Sequence, residues 1–481
     1  MRILYRVLGA TPALALSMPA AAQVVETAGY PAAAAGDGAT TGGYNLSRWA
    51  EDWRKLCDPA KRDDPIDALK CIKLTPSGDV YVTLSGEARL RMNHTTNPNL
   101  RDSRAQRQDI VRLVGGADLY IGEHLRVYGE IAHGGISGVE LGAPAATLRN
   151  DVAVQQLFVE AKGEVAGVDI GARYGRQEFT DGPNLLLSQR DNNTIRYTLN
   201  GFRGWARGKT VRVDVFDLKP TQYGDLGTDD DVIDPARRFS GVSLGFVVPK
   251  AWVGGAKLYF DPFFWRRRNN VGTWGGRIGP GTRFYLGTHL WGEAGPVTLD
   301  WSINHQWGYW RDQQIDAWQG FFAQNVRLGS GKRAPRIGFH ADYASGGGGY
   351  GEGKLRNAYA PFGNNVYYSY GLFLTPSNLV AFAPTLNLSP TAKLRLNLEY
   401  QRAWRANVQD AVYRANGQPF AGTQNVRDSR TADVARVQAV WALTPRLSLT
   451  GRYEHLAAGP ALTKAGYASS DFVAGWISFR F

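Results

Sequence analysis

From Val80 to its last residue the chain alternates apolar and polar residues with period two. In 82–91, Val82, Leu84, Gly86, Ala88 and Leu90 alternate with Thr83, Ser85, Glu87, Arg89 and Arg91. In 111–121, Val111, Leu113, Gly115, Ala117, Leu119 and Ile121 alternate with Arg112, Val114, Gly116, Asp118 and Tyr120. In 393–400, Leu394, Leu396, Leu398 and Tyr400 alternate with Lys393, Arg395, Asn397 and Glu399. Side chains of a strand point alternately to opposite faces, so the pattern describes strands with one apolar and one polar face. A soluble sandwich turns the polar face to water. A membrane barrel does the reverse, apolar to lipid and polar to the lumen.

Connection lengths decide between the two. The alternation predicts about eighteen strands, at 80–92, 109–121, 125–133, 153–162, 166–175, 194–206, 210–218, 239–248, 252–265, 281–293, 297–310, 314–328, 333–345, 378–388, 392–405, 432–443, 446–457 and 471–481. Every second connection is tiny, as in Gly122-Glu123-His124, Gly208-Lys209, Pro249-Lys250-Ala251, Ala294-Gly295-Pro296, Pro390-Thr391 and Thr444-Pro445. Those between are long: 93–108, 134–152, 176–193, 219–238, 266–280, 346–377, 406–431 and 458–470, with 311–313 the exception. Short turns on one rim and long loops on the other mark an outer-membrane barrel. The expected fold is therefore all-β, a transmembrane up-and-down antiparallel barrel in a Gram-negative outer membrane. The even strand count puts both ends on the periplasmic rim. The last strand carries Val473, Gly475, Ile477, Phe479 and Phe481 on one face, suited to lipid and an aromatic interface, and Arg480 on the other. Trp205, Trp252, Trp291, Trp310, Trp404 and Trp441 fall near predicted strand ends and suit interfacial girdles.

The stretch before the barrel reads differently. Arg2 and Arg6, an apolar Val7 to Ala15 and Ala20-Ala21-Ala22 form a secretory signal over 1–22. Residues 23–43 are a flexible leader rich in Ala, Gly and Thr, and 44–79 a periplasmic segment of short amphipathic helices broken at Pro59 and Pro65. The barrel occupies 80–481. Export makes a disulfide between the two cysteines, Cys57 and Cys71, a candidate. It closes a loop of about 15 residues and contributes roughly 3 kcal/mol.

With the apolar faces given to lipid, the lumen inherits Glu87, Arg89, Arg91, Arg112, Asp118, Arg126, Glu130, Asp169, Arg173, Arg196, Arg212, Asp214, Lys393, Arg395, Glu399, Arg436, Arg452 and Glu454. Basic residues exceed acids here as they do in the whole chain, whose formal charge is +12. A secreted chain has no nucleic-acid partner, so the excess suits an acidic polysaccharide or lipopolysaccharide phosphate. Rings of Arg and Lys select anions, and guanidinium groups grip carboxylates in a bidentate way.

Catalytic patterns are weak, and no enzyme, cofactor or metal is expected. Gly241-Val242-Ser243-Leu244-Gly245 matches G-x-S-x-G but lies inside a strand rather than at an elbow. Gly329-Ser330-Gly331-Lys332 lacks the rest of a phosphate loop. The seven His are scattered. Asp229, Asp230 and Asp231 form a weak Ca²⁺ candidate whose simpler reading is a solvated acidic loop.

Several stretches resemble the alginate export porins of Gram-negative outer membranes. They are Trp49-Ala50-Glu51-Asp52-Trp53 through Asp64-Pro65 into Gly78–Arg91, then Gly116-Ala117-Asp118-Leu119 with Leu125-Arg126-Val127-Tyr128. Gly175-Arg176-Gln177-Glu178-Phe179 with Arg190, Arg196 and Asn200-Gly201 follows, and later Trp404-Arg405 with Asp410-Ala411-Val412-Tyr413. The resemblance implies a monomeric barrel with an arginine-rich constriction that passes an anionic polyuronate. It adds Arg176 and Arg190 to Arg89, Arg91 and Arg196 as residues of the path. The expected partners are outer-membrane lipid and lipopolysaccharide, the anionic polysaccharide, the barrel assembly machinery and periplasmic polysaccharide-secretion proteins. The alternative function is uptake of oligosaccharides or small anionic nutrients through the same lumen.

Overall fold

The computed structural model describes residue 30 and residues 41–141, 146–224 and 226–481. The expected signal, 1–22, lies outside them, as does most of 23–43. Eighteen antiparallel strands close into a barrel. They are β1 (Val80–Thr95), β2 (Gln106–Ile121), β3 (Leu125–Val139), β4 (Asn150–Val165), β5 (Val168–Gln177), β6 (Leu199–Arg207), β7 (Val211–Gln222), β8 (Arg237–Val247) and β9 (Lys257–Trp274). The second half is β10 (Arg277–Ala294), β11 (Val297–Trp310), β12 (Gln313–Arg327), β13 (Arg336–Ala344), β14 (Leu379–Leu388), β15 (Leu394–Trp404), β16 (Arg430–Ala442), β17 (Leu447–Ala458) and β18 (Ser470–Arg480). β18 pairs antiparallel with β1 from Phe472 opposite Thr95 to Arg480 opposite Glu87. Gly86 and Phe481 exchange backbone hydrogen bonds just beyond that register, at 3.0 and 3.1 Å. The backbone donors and acceptors of both edges are thereby paired, as hydrocarbon requires.

The two faces follow the alternation. On β1 the side chains of Thr83, Ser85, Glu87, Arg89, Arg91 and Asn93 are buried, while Ala88, Leu90 and Met92 between them are exposed to the bilayer side. Leu113, Leu157, Leu286 and Ile337 continue the apolar band. Turns such as 122–124, 166–167, 295–296 and 443–446 occupy the periplasmic rim, and long loops such as 178–198, 345–378 and 405–429 the outer one.

Three expectations need correction. The long loop foreseen over 266–280 is instead the end of β9, a two-residue turn at Gly275-Gly276 and the start of β10. The polar run Arg266–Asn270 concealed its alternation: Arg266 and Arg268 are exposed outside, while Arg267 and Asn269 line an internal cavity. Of the proposed girdle, Trp252 and Trp441 are outward, but Trp205 and Trp310 are buried inside, and the Trp291 indole donates to Asp261 at 2.7 Å. Strand parity, not proximity to an end, sets the side on which a Trp falls. Residues 48–69 form single 3₁₀ turns rather than amphipathic helices. Pro59 and Pro65 start their turns behind the caps Asp58 and Asp64, leaving no room for a longer helix. Cys57 and Cys71 of this segment are bonded, with their Cα atoms 5.0 Å apart.

An apolar core lies in the outer half of the lumen. Loops 178–198 and 345–378 fold inward and touch through a parallel bridge from Leu187 to Phe362. Leu185, Leu186, Tyr367, Tyr368 and Phe373 pack there against Phe263, Trp265 and Tyr285 of the wall. Gly201, at φ +142°, brings β6 so close to β7 that a Cβ would lie 2.2 Å from the Asp217 carbonyl oxygen. The sidedness of the wall is testable. Leu286→Arg on the lipid face should cost about 2–4 kcal/mol near the midplane and little near the rims. The check is the urea midpoint of folding into vesicles, and an unchanged midpoint would contradict the assignment of faces.

Candidate functional site

The site is built where β1, β2 and β17 present arginines to the tip of loop 178–198. Asp191 sits at that tip. Its carboxylate meets Arg89 at 3.1 Å, Arg112 at 2.8 Å and Arg196 at 2.7 Å. Arg91 donates to the Asn192 carbonyl oxygen at 3.1 Å and to its Oδ1 at 3.0 Å. Arg452 reaches the same Oδ1 at 3.1 Å, and Arg112 the Asn193 carbonyl oxygen at 3.2 Å. Burial alone would raise the Asp191 pKa, yet Arg89, Arg112 and Arg196 hold its carboxyl well below the usual range. Behind the cluster, Glu87 accepts from Arg112 at 2.9 Å and pairs with Arg89 at 2.8 Å. Arginine forks around a single carboxylate form an anion-binding arrangement, and here the chain supplies the anion itself.

Residues 44–53 fold into the periplasmic side of the lumen. Arg48 reaches into the lumen between Glu87, at 3.0 Å, and Glu130, at 2.7 Å. The Trp49 ring lies 4.1 Å from the Arg173 guanidinium, and its carbonyl oxygen accepts from Arg126. Arg196 donates to the Leu46 carbonyl oxygen at 2.7 Å, and Ser47 to Glu178 at 2.6 Å. Arg126 is tied to Asp118 at 2.7 Å, Arg173 to Glu160 at 3.0 Å and Arg212 to Asp181 at 2.6 Å. These cations are neutralised pairwise.

The residues singled out from sequence therefore separate into groups. Arg89, Arg91, Arg112, Arg196 and Arg452 converge on the loop tip with Glu87 behind them. Arg126, Arg173 and Asp118 belong to the paired periplasmic half. Arg436 forms a separate buried unit with Glu399, which also accepts from His340. Arg176 is spent on Asn200, at 3.0 Å, and on two backbone carbonyls. Arg190 donates to the Gly363 carbonyl oxygen at 3.1 Å and faces an outer cavity. Lys393 is not in the lumen: β15 begins at Leu394, so Lys393 is exposed in the periplasmic turn, bonded to the Leu443 carbonyl oxygen at 3.0 Å, and Arg395 is half-buried next to it. Arg196 belongs to the inward loop rather than to a strand, since β6 starts at Leu199.

Asp229, Asp230 and Asp231 diverge. Asp229 is exposed, Asp230 accepts from the Leu226 amide and Asp231 from Asn150 at 3.0 Å. Among the described residues no three ligating side chains gather as a metal site. Asp191 and Arg48 were not anticipated, nor were Arg237, Arg267 and Arg283 of the outer cavity. The one sequence signal was the adjacency of Arg190 and Asp191, a cation and an anion at the apex of a long loop.

Comparison with known proteins agrees with the architecture. The family model described as alginate export matches residues 80–475. No curated protein matches the chain. Among solved structures, Pseudomonas aeruginosa OccK2 (OpdF) in complex with glucuronate is similar at 12% identity and a TM-score of 0.52, covering 83% of this chain and 98% of the other. A BenF-like porin from Pseudomonas fluorescens Pf-5 is similar at 11% identity and 0.52, covering 84% and 98%. Acinetobacter baumannii OccAB1 reaches 0.54 at 9% identity, covering 86% and 97%.

Glu87 is the acid that the most basic groups depend on. Glu87→Gln leaves Arg48, Arg89 and Arg112 short of compensating charge inside the barrel. Removing one partner of a buried pair typically costs about 3–5 kcal/mol. The temperature at which the folded barrel loses its compact electrophoretic migration should fall, and no change would show that Glu87 does not hold the cluster.

Proposed function

Because the chain belongs to the alginate export family, we propose that it passes an anionic, carboxylate-bearing polysaccharide of the alginate type across the outer membrane. The barrel is an outer-membrane channel of the porin kind. The observation that carries the finer reading is the arginine cluster closed around Asp191. A carboxylate arriving from a polyuronate takes the place of Asp191, so Arg89, Arg112 and Arg196 exchange one anion for another. No guanidinium is left bare during the exchange, which avoids the cost of an unpaired buried charge. As that carboxylate moves on, Asp191 or the next uronate replaces it. Glu87 keeps the arginines aimed inward and offsets their charge, so that a polyanion is held but not trapped. Arg48 and Trp49 have to leave the periplasmic mouth for a polymer to thread it.

The uptake of small acids is the second reading. It is favoured by the closed cluster and by the modest size of the outer cavity, about 280 Å³. A similar barrel, OccK2, was solved with glucuronate.

Planar-bilayer recordings test the anion path. Asp191→Asn removes three ion pairs and should raise conductance severalfold, with the reversal potential moving further toward anion preference. Polyuronate should block the wild-type current. A cation-preferring pore that polyuronate leaves unmoved would sink the reading, and block by monomeric uronate alone would favour uptake.

The pH response follows from Asp191. Its folded pKa is depressed, so its contribution to loop docking is complete above the ordinary carboxylate pKa of about 4. It is lost only as pH falls through the depressed value. Conductance should therefore hold steady from pH 7 to about pH 4.5. An opening transition between those values would mean that another group holds the loop.

A further inference from the structure

The outer cavity has a chemistry of its own. It is an open space of about 280 Å³, beside a neighbour of about 190 Å³ with which it shares the lining residues Arg237, Arg267 and Tyr359. Arg283 lines the first and Arg190 the second. No Asp or Glu is among the described residues that line either.

The partners of these arginines are mostly neutral. Arg283 donates to Gln306 at 2.6 Å and to the Asn357 carbonyl oxygen at 2.8 Å. Arg190 donates to the Gly363 carbonyl oxygen at 3.1 Å. The Arg267 Nε is buried without a hydrogen-bond partner. Among the described residues only Arg237 has an acid partner, Asp234. This is the reverse of the cluster at Asp191, where the chain supplies its own anion. The effect on a neutral neighbour shows the field: burial would raise the Tyr359 phenol, yet Arg267, Arg190, Arg237 and Arg283 hold it below its ordinary value.

The walls specify more than charge. Arg267 stands 4.8 Å over the Tyr359 ring and Arg283 5.7 Å over Trp274. The two rings meet nearly at right angles, 5.8 Å apart, making an apolar corner. Asn269, Thr273 and Gln418 add neutral hydrogen-bonding groups. Guanidinium forks take a carboxylate, aromatic rings take the C–H face of a sugar, and amides and hydroxyls take its hydroxyl groups. Inorganic phosphate would leave the aromatic corner unused. A neutral sugar would leave the cations uncompensated.

We propose that this outer cavity, centred on Arg267, Arg283 and Tyr359, is a binding site for a single uronate residue, distinct from the arginine cluster at Asp191. It is a holding station on the outer side of the loop tip. Arg190 forms its floor, and Asp191, the next residue, closes the cluster beyond. The proposal rests on the reading of the lumen as an anion path but is tested separately from it.

The test is isothermal titration calorimetry of the whole barrel in detergent, with glucuronate, glucose and inorganic phosphate as titrants. Glucuronate should bind at least about tenfold more tightly than either of the others, the worth of one charge-assisted hydrogen bond. Arg267→Gln and Arg283→Gln should each weaken it by a similar factor, while Arg266→Gln, on the outward face of the same strand, leaves it in place. Arg267→Lys, which keeps the charge and the fold but not the fork, should fall between. Equal affinity for glucose or phosphate overturns the proposal, and so does a loss with Arg89→Gln but not with Arg267→Gln. If glucuronate fails to bind while the bilayer current stays anion-selective, the station is wrong and the conduit stands. If binding is lost with Arg267→Gln in a cation-preferring pore, the conduit is wrong and the station stands.

Discussion

A bilayer offers a backbone no hydrogen-bond partners, and that constraint organises the whole molecule. Every strand must be paired on both sides, so β18 has to meet β1, and the sheet becomes a cylinder. Once it is a cylinder, period-two alternation sorts the side chains without further instruction. Leu90, Leu113 and Leu286 go to lipid, and Glu87, Arg89 and Arg112 go inside. The interior is then a confined space with too many cations to leave unpaired.

The chain deals with that excess in two ways. Toward the periplasm it uses acids on neighbouring strands: Asp118 for Arg126, Glu160 for Arg173, Asp214 for Arg203. At the middle it brings in groups from elsewhere, Asp191 from an outer loop and the Leu46 carbonyl from the segment before the barrel. The first solution makes a rigid wall. The second is made of parts that are separable from the wall, and it is there that passage can be regulated.

This division also explains what was legible in the sequence. Strands were legible because alternation and turn length are local properties, and the eighteen of them closely follow the pattern read from residue 80 onward. Site partners were not, because Arg89 and Asp191 are 102 residues apart and no spacing rule joins them. Parity alone marks Arg89, Arg112 and Arg452 as inward without showing what they hold. Arg267 escaped because three consecutive arginines look like a loop when the strand outlasts the membrane. Trp205 and Trp310 show the complementary effect: both lie near strand ends, but their parity puts them on the inner face.

Arg190 and Asp191 are joined by one peptide bond, with Arg190 in the left-handed region at φ +55°. One side chain belongs to the outer cavity and the other to the arginine cluster. A backbone turn that frees either must reorient the other, since both swing about the same few torsions. The outer cavity and the arginine cluster are thus anchored to one short piece of backbone.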